Sequence, residues 1–324
     1  QLNSGVLSPN PFAMFRAAFL VALSTCLLAA LDYAVTPTYP VHTKGGILIT
    51  GASTGIGLHA AQHLSALGFR VYAGVRSSKA AEQVKQAGGD LVPVILDVTL
   101  ESTVQSAYET ITKDLEQHAL MLVGLVNCAG LSRRLPLELE SLEVVKDLYE
   151  VNVFGVTRVT QRFLELLRSS QGRIINIGSV AALLPHRGSS SYSGSKASLE
   201  MITDTLRLEL APWEVSVSVI EPGYVQTPLA AKQLGDNSPW RQADPTKRRL
   251  YQDWIDKSDQ SREEAHQKAP GPLVTSEAIA DAMTNPKPKT RYVVANVKGT
   301  PAWMLAFLGW ALPDRIKDVI VKKF

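Results

Sequence analysis

Short apolar runs alternate with helical segments along most of the chain. Seven runs rich in valine and isoleucine lack the polar alternation of a half-exposed strand and occupy residues 46–50, 70–75, 91–96, 120–126, 172–177, 215–220 and 291–296. Such runs are typical of strands buried on both faces. Segments between these runs have apolar residues at helical spacing; they are residues 60–67, 100–118 and 199–210. The alternation predicts right-handed βαβ units and a single α/β domain with a doubly wound parallel sheet of about seven strands and helices on both faces.

The first turn between strand and helix is rich in glycine. Gly51, Gly55 and Gly57 follow the strand 46–50 directly and open the next helix. Glycine allows a tight turn and a close approach of backbone to phosphate, and a helix N-terminus attracts negative charge. We therefore predict that this loop holds the pyrophosphate of a dinucleotide, with contacts from Gly51, Ser53, Thr54, Gly55, Ile56 and Gly57.

Arg76 follows the second predicted strand, where many NAD-binding domains carry an acidic residue for the ribose hydroxyl. A guanidinium there can bind a 2′-phosphate through two hydrogen bonds. The sequence therefore favours NADP(H) over NAD(H), with Arg76 among the cofactor contacts. The alternative is that Arg76 is a solvated arginine at a strand end.

Five motifs occur in an order known from one family. They are TGASTGIG (50–57), Asn127 to Gly130, Asn152 with Ser179, Tyr192-x-x-x-Lys196, and Pro222-Gly223. With these motifs the chain resembles the short-chain dehydrogenase/reductase family over about residues 45 to 300. The resemblance implies a Rossmann-type fold, oxidoreduction between an alcohol and a carbonyl with NAD(P), and a catalytic tetrad of Asn152, Ser179, Tyr192 and Lys196.

The tetrad residues suit that chemistry. Tyr192 and Lys196 are four residues apart and share one helix face. A nearby ammonium stabilises a phenolate, so Tyr192 can exchange a proton with a substrate oxygen. Ser179 would hydrogen-bond that oxygen. The resemblance further implies that Lys196 holds the nicotinamide ribose and that Asn152 holds a water in a proton relay.

Other cofactor contacts come from the resemblance alone. It implies that Asp97 contacts the adenine and that Thr227 meets the carboxamide, while Asn127 steadies the central sheet. The remaining predicted contacts are Val98, Ala129, Gly130, Tyr192, Lys196, Pro222, Gly223 and Val225. Cys128 replaces the second asparagine that is common in the family, and we expect this change to affect packing. No metal site is expected.

Tyr192 lies in a serine-rich stretch, SSSYSGSK. Ser189 to Ser191 are predicted to form a loop that leads into the helix. The small residues Ser193, Gly194 and Ser195 are predicted to let cofactor and substrate approach that helix. His186 and Arg187, just before the stretch, are expected to have a plain loop role.

Apolar segments lie on both sides of the predicted catalytic domain (45–298), and a polar region lies within it. Residues 1–44 contain a hydrophobic segment at 12–35, predicted to be a single membrane anchor with a linker; a buried helix or a signal-like segment is the alternative. Residues 299–324 form an apolar and basic tail suited to a membrane interface; the alternatives are packing over the substrate pocket or a dimer contact. Residues 228–275 are polar and predicted to form the lid over the substrate.

The net charge and the resemblance to one branch of the family indicate which binding partners to expect. A net charge of +3 gives no reason to expect nucleic acid binding. Residues 204–227 most resemble the retinol, hydroxysteroid and hydroxybutyrate dehydrogenase branch, which implies a lipophilic alcohol or ketone reached from the endoplasmic reticulum or another organelle membrane. A homodimer is expected from the resemblance. The alternative function is a non-catalytic subunit of a membrane complex that keeps the nucleotide fold.

Overall fold

The computed structural model describes residue 23 and residues 26–28, 30–231 and 239–321. The chain divides into two compact units, Gln1–Thr38 and Tyr39–Phe324. In the first unit, residues 30–35 are helical. Most of the predicted anchor lies outside the described residues. Among the residues that are described, no helix combines the length and the apolar character that crossing a bilayer requires.

The second unit is built on a parallel sheet, as predicted. Its strands are β1 (Gly46–Ile49), β2 (Arg70–Val75), β3 (Leu91–Ile95), β4 (Leu122–Asn127), β5 (Arg173–Ile177), β6 (Ser216–Pro222) and β7 (Arg291–Val294). They are arranged in the order β3-β2-β1-β4-β5-β6-β7, and every neighbouring pair is parallel. The strand order reverses between β1 and β4. The carboxyl ends of these strands at such a reversal are where open α/β sheets bind ligands.

Helices connect the strands and cover both faces. They are α1 (Gly55–Ala66), α2 (Ser78–Gln86), α3 (Glu101–Gln117), α4 (Leu142–Tyr149), α5 (Val156–Ser169), α6 (Ser190–Leu210), α7 (Pro228–Ala231), α8 (Pro245–Arg248), α9 (Gln252–Gln267), α10 (Leu273–Thr284), α11 (Ala302–Ala311) and α12 (Asp314–Val321). A short hairpin, β8 (Asn296–Val297) with β9 (Thr300–Pro301), follows β7. The predicted seventh strand is therefore shorter than 291–296, because Ala295 adopts a positive φ of 65° that interrupts extended backbone.

Both faces of the sheet are buried, which explains why the strands read as continuous apolar runs. Ile47 and Ile49 of β1 point into one core, which includes Leu64 of α1 and Ile279 of α10. Leu48, between them, points into the opposite core, formed with α3 and α5. Successive side chains of a strand alternate between faces, so a strand with helices on both sides needs an apolar residue at each position.

Helix α11, near the C-terminus, belongs to the same unit. It buries Ala302 and Leu305 against Val180 and Leu184, in the segment that follows Ser179. Its other face leaves large apolar side chains in solvent, at Trp303, Phe307 and Trp310. The predicted tail therefore packs beside the segment after β5 and also presents an apolar surface.

Candidate active site

A cavity of about 680 Å³ opens at the carboxyl ends of the sheet strands. Its lining contains every predicted catalytic and cofactor residue except Asn127 and Asn152. One half is formed around Gly51, Gly57, Arg76 and Asp97, and we call it the glycine half. The other half contains Arg134, His186, Tyr224, Arg262 and Val297, and we call it the arginine half. Tyr192, Lys196 and Ser179 also line the cavity.

The glycines of the first turn are required by contacts between backbones. A Cβ on Gly51, whose φ is +66°, would lie 2.7 Å from the Ala129 Cα, and a Cβ on Gly57 would overlap the carbonyl oxygen of Gly51. Thr54, at the N-cap of α1, makes no side-chain capping hydrogen bond. The N–H groups of the first turn of α1 thus face the cavity side without a side-chain cap, which fits a bound pyrophosphate.

Thr50 joins this turn to the loop after β4. Its Oγ1 accepts hydrogen bonds from the backbone N–H groups of Cys128 and Ala129, both at 3.0 Å, and the side chain is buried. We did not single out Thr50 from the sequence. A threonine at the end of a buried strand, before a glycine turn, is the signal that could have found it.

Arg76 and Asp97 lie at the predicted adenosine end of the glycine half. Arg76 is exposed and lines the cavity directly after β2. Ser77 caps α2 by accepting a hydrogen bond from the Ala80 N–H at 3.2 Å. The Asp97 Oδ1 accepts hydrogen bonds from the N–H and the hydroxyl of Thr99, at 3.0 and 2.7 Å, so this carboxylate is held by its own turn.

Helix α6 carries Tyr192 and Lys196. Lys196 is buried, and its Nζ donates a 2.6 Å hydrogen bond to the carbonyl oxygen of Ile177 at the end of β5. This bond fixes one side of the ammonium while the side chain still borders the cavity. The helix begins at Ser190, so Ser190 and Ser191 are helical and the predicted loop ends at Ser189. Serine favours the first positions of a helix as well as loops, and the sequence pattern does not separate the two.

Asn152 supports the site from behind the cavity. It lies in a π-helical turn, Glu150–Gly155, between α4 and α5, a conformation frequent at functional sites. Its amide accepts from the Leu131 N–H at 2.8 Å and donates to the Leu131 carbonyl at 2.9 Å and to Ser195 Oγ at 3.0 Å. Asn152 thus ties the loop after β4 to the helix of Tyr192 and Lys196.

Asn152 and Lys196 approach one point beside Gly130. A Cβ on Gly130 would lie 3.4 Å from Asn152 Oδ1 and 3.8 Å from Lys196 Nζ. The two polar atoms therefore border the same small space. The proton relay implied by the family resemblance stays a prediction.

The small residues between Tyr192 and Lys196 have a packing role. A Cβ on Gly194 would lie 2.5 Å from the Tyr149 hydroxyl of α4, and Ser195 Oγ is the partner of Asn152. The space beside these residues is therefore filled by α4 and the π-helical turn. The prediction that they let ligands approach the helix was wrong for Gly194 and Ser195.

Ser179 borders the cavity, whereas Asn127 lies within the sheet. The Ser179 Oγ accepts a 3.2 Å hydrogen bond from the Ala181 N–H, which leaves the hydroxyl hydrogen to donate into the cavity. Asn127 is buried in the sheet and donates to Thr160 Oγ1 at 3.1 Å and to Asn176 Oδ1 at 2.9 Å. These contacts agree with the expected role of Asn127 in steadying the central sheet, and Asn127 does not line the cavity.

Cys128 lines the cavity without a reactive thiol. Burial raises the pKa of the Cys128 thiol to about 12, so the thiol stays protonated at neutral pH. The replacement of the second asparagine of the motif by cysteine therefore adds no nucleophile to the site.

Several lining residues of the arginine half were not predicted. Arg134 comes from the loop after β4, and Arg262 and His266 come from α9, in the region predicted as a lid. His186, expected to have a plain loop role, also lines the cavity. Burial, together with the charges of Arg134 and Lys298, lowers the pKa of His186 to about 4, so its ring is neutral at neutral pH.

Two buried carboxylates lie under the site. Glu221 of β6 is fully buried, and its Oε1 lies 3.3 Å from Arg291 Nε. Glu200 of α6 pairs with the same guanidinium at 3.1 Å. Burial and the neighbouring Glu200 raise the pKa of Glu221 well above its ordinary range. A Cβ on Gly178, next to Ser179, would lie 3.0 Å from Glu200 Oε1, so the Glu200 carboxylate lies close to the turn after β5.

Comparison with known proteins identifies relatives along most of the chain. The family model described as short chain dehydrogenase matches residues 46–238. Estradiol 17-beta-dehydrogenase 2 of Mus musculus is 34% identical over 220 residues, covering 66% of this chain and 57% of that protein. The mitochondrial D-beta-hydroxybutyrate dehydrogenase of Bos taurus is 39% identical over 189 residues, covering 57% and 55%. The match thus spans little more than half the length of these two relatives.

A bacterial relative and a solved structure match more completely. The NADPH-dependent 3-dehydrocapnine reductase of Ornithobacterium rhinotracheale is 32% identical over 286 residues, covering 85% of this chain and 95% of that protein. The crystal structure of a short chain dehydrogenase from Burkholderia cenocepacia in complex with NADP covers 86% of this chain and 97% of its own, with a TM-score of 0.64 and 25% identity.

Proposed function

The chain belongs to the short-chain dehydrogenase family, and from that premise we propose that it is a membrane-associated, NADP(H)-dependent oxidoreductase that interconverts a lipophilic alcohol and its ketone or aldehyde. The observation that carries the proposal is the convergence of Ser179, Tyr192 and Lys196 on one cavity with the glycine turn. The substrate would be retinoid-, steroid- or lipid-like.

The residues of the chain fit a dinucleotide and supply the proton chemistry. Bound NADP(H) would supply or accept the hydride. Gly51 and Gly57 leave room for its pyrophosphate, and Lys196 and Thr227 line the cavity where its nicotinamide end would lie. Tyr192 protonates the carbonyl oxygen in reduction and accepts the proton in oxidation, and the Lys196 ammonium stabilises its phenolate. Ser179 donates a hydrogen bond to the reacting oxygen.

Arg76 supports the choice of NADP(H). It lines the cavity after β2, where a guanidinium can pair with a 2′-phosphate. The NADPH dependence of the Ornithobacterium relative agrees with this choice. Arg76→Leu is expected to raise the Michaelis constant for NADPH far more than that for NADH. Equal changes for both cofactors would contradict the assignment.

Membrane association is supported by both ends of the chain. The apolar segment 12–35 would serve as a single anchor in the endoplasmic reticulum or another organelle membrane. The exposed Trp303, Phe307 and Trp310 of α11 suit the interface of a bilayer, where tryptophan is enriched. Full-length protein should sediment with vesicles, and Trp303→Ser with Trp310→Ser should weaken that binding.

A homodimer is part of the proposal. Exposed apolar side chains lie on α6, at Met201 and Leu208, and on the π-helical turn, at Phe154. A second copy of the chain would bury them. Met201→Glu with Leu208→Glu should lower the mass measured by light scattering in detergent, and an unchanged mass would remove the dimer from the proposal.

The test of the activity uses NADPH and a panel of lipophilic ketones and aldehydes. NADPH fluorescence should change on binding, and its oxidation should depend on the carbonyl compound. Tyr192→Phe should reduce turnover about 10²- to 10⁴-fold, the usual contribution of a general acid, while NADPH still binds. The proposal fails if no member of the panel is reduced or if Tyr192→Phe turns over like the wild type.

A further inference from the structure

The arginine half of the cavity carries two guanidinium groups that the proposed chemistry does not use. Arg134 follows β4 and stacks its guanidinium over the ring of Tyr224, 5.9 Å from the ring centre. Arg262 projects from α9 and is buried, with 8% of its surface exposed. Both line the same cavity as Ser179 and Tyr192. Burial of a charged side chain costs free energy unless an opposite charge or hydrogen bonds compensate for it.

Positive charge exceeds negative charge along the described lining. The lining contains the cations Arg76, Arg134, Lys196 and Arg262 but only one carboxylate among the described residues, that of Asp97, which is held by its own turn. Arg262 pairs with Asp259 at 3.2 Å, and the other oxygen of that carboxylate accepts from Trp240 Nε1. This ion pair leaves the charge of Arg134 in place. His186 is neutral at neutral pH and can only donate or accept a hydrogen bond.

Arg134 and Arg262 both border the cavity, so their charges act on each other there. Burial, and after it the charge of Arg134, lowers the pKa of Arg262. Repulsion between two cations is a cost that an anion placed between them removes. Planar guanidinium groups bind carboxylate and phosphate groups, because their paired N–H donors match two oxygens of the anion.

We propose that the arginine half is a carboxylate subsite, so that the substrate is a lipophilic oxo acid or hydroxy acid held by Arg134 and Arg262. The proposal deepens, and rests on, the proposed oxidoreductase function. Leu131, Val180 and Val297 supply apolar walls for the carbon chain. The carboxylate then sets the orientation of the chain, which brings the carbonyl group to Ser179 and Tyr192.

The kinetic test compares acids with their uncharged esters. Benzoylformate and laevulinate, each beside its methyl ester, keep the ketone and differ in the negative charge. Wild-type protein should prefer the acid in at least one pair. Arg134→Gln should lower kcat/KM for that acid about 10- to 100-fold, the range for a lost charge-assisted hydrogen bond, and change the ester less than about threefold on the same scale.

Two further variants control for charge and folding. Arg133→Gln removes a neighbouring arginine that does not line the cavity, and it should leave the acid preference unchanged. Arg134→Lys should retain part of the preference, because it keeps the charge and loses the paired donors. The contacts of Arg262 with Asp259 make Arg262→Gln a risk to folding, so the conclusion relies on Arg134.

A binding measurement separates failure of the subsite from failure of the proposed activity. Decanoate is titrated by calorimetry into the protein saturated with NADPH, with decanol as the uncharged control. Decanoate should bind more tightly than decanol and lose about tenfold or more in affinity with Arg134→Gln. Equal binding of acid and alcohol, or no effect of Arg134→Gln, overturns the carboxylate subsite even if ketones are reduced. Binding that depends on Arg134, without turnover of any carbonyl compound, upholds the subsite and rejects the reductase.

Discussion

The two halves of the cavity are built in different ways. In the glycine half, backbone atoms define the shape, since Gly51 and Gly57 have no room for a side chain and Thr50 bonds two backbone N–H groups. In the arginine half, long side chains from α9 and from the loops after β4 and β5 define it. A site shaped by backbone fits one ligand whose form does not change, whereas a site shaped by side chains changes with a few substitutions. Under the proposed function, the cofactor would occupy the glycine half and the arginine half would select the substrate.

The largest effect is expected from a substitution in the glycine half. Gly57→Ala places a methyl group against the carbonyl oxygen of Gly51, and the backbone must move. Overpacking of about 1–3 kcal/mol predicts that the Kd for NADPH rises about tenfold to a hundredfold. Gly271→Ala is the matched control, because a Cβ on Gly271 meets nothing within 4 Å. Fluorescence titration measures both, and an unchanged Kd for Gly57→Ala would show that the turn does not define the cofactor site.

An intermediate effect tests the link between the loop after β4 and α6, which carries Tyr192 and Lys196. Asn152→Ala removes the bonds to Leu131 and Ser195 and leaves buried polar groups unpaired. We expect a loss of about 1–3 kcal/mol in the free energy of unfolding and about a tenfold fall in kcat from displacement of Tyr192. The Kd for NADPH should change less, because the glycine turn keeps its own contacts. Asn285→Ala, a half-buried asparagine away from the cavity, is the control. A lower stability with kcat unaltered would limit Asn152 to a structural role.

The smallest effect concerns the two buried carboxylates near the turn after β5. The pKa of Glu221 is raised in the folded protein by burial and by Glu200. Folded protein then binds more protons than unfolded protein, so stability is fully present below the ordinary glutamate pKa of about 4.3 and falls as pH rises toward the folded pKa of about 9. Glu221→Gln, which stays uncharged, should lose less Tm over this range than the wild type, while Glu209→Gln on the surface should behave like the wild type. Parallel pH profiles for wild type and Glu221→Gln would show that Glu221 does not ionise in this range.

The sequence predicted the sheet and the glycine half because both depend on local pattern. Continuous apolar runs follow from burial of both faces, and the glycines at 51, 55 and 57 follow from a turn whose geometry excludes a Cβ. Tyr192, Lys196 and Ser179 were placed by the order of the family motifs, and all three line the cavity. Helix α6 begins two residues earlier than predicted, at Ser190, because serine suits a helix start as well as a loop.

The arginine half was harder to predict because its residues come from distant, irregular segments. Arg134, His186 and Arg262 meet only through tertiary structure, and none belongs to a motif. The polar composition of residues 228–275 indicated a lid, but nothing in the pattern of charges distinguished the cavity-facing Arg262 from exposed arginines. The prediction that the small residues around Gly194 let ligands approach α6 was wrong for a related reason, since their neighbours are side chains of α4 and the π-helical turn.

Hydride transfer at this cavity is tested most directly with isotope-labelled NADPH. The cofactor carries deuterium on the nicotinamide carbon that donates hydride, and a ketone reduced by the enzyme is analysed by mass spectrometry and NMR. Hydride transfer from the cofactor would leave deuterium on the carbinol carbon of the product, and only an exchangeable hydrogen from solvent on its oxygen. A product whose carbinol carbon takes its new hydrogen from solvent, or a carbonyl compound that is never reduced, would contradict it.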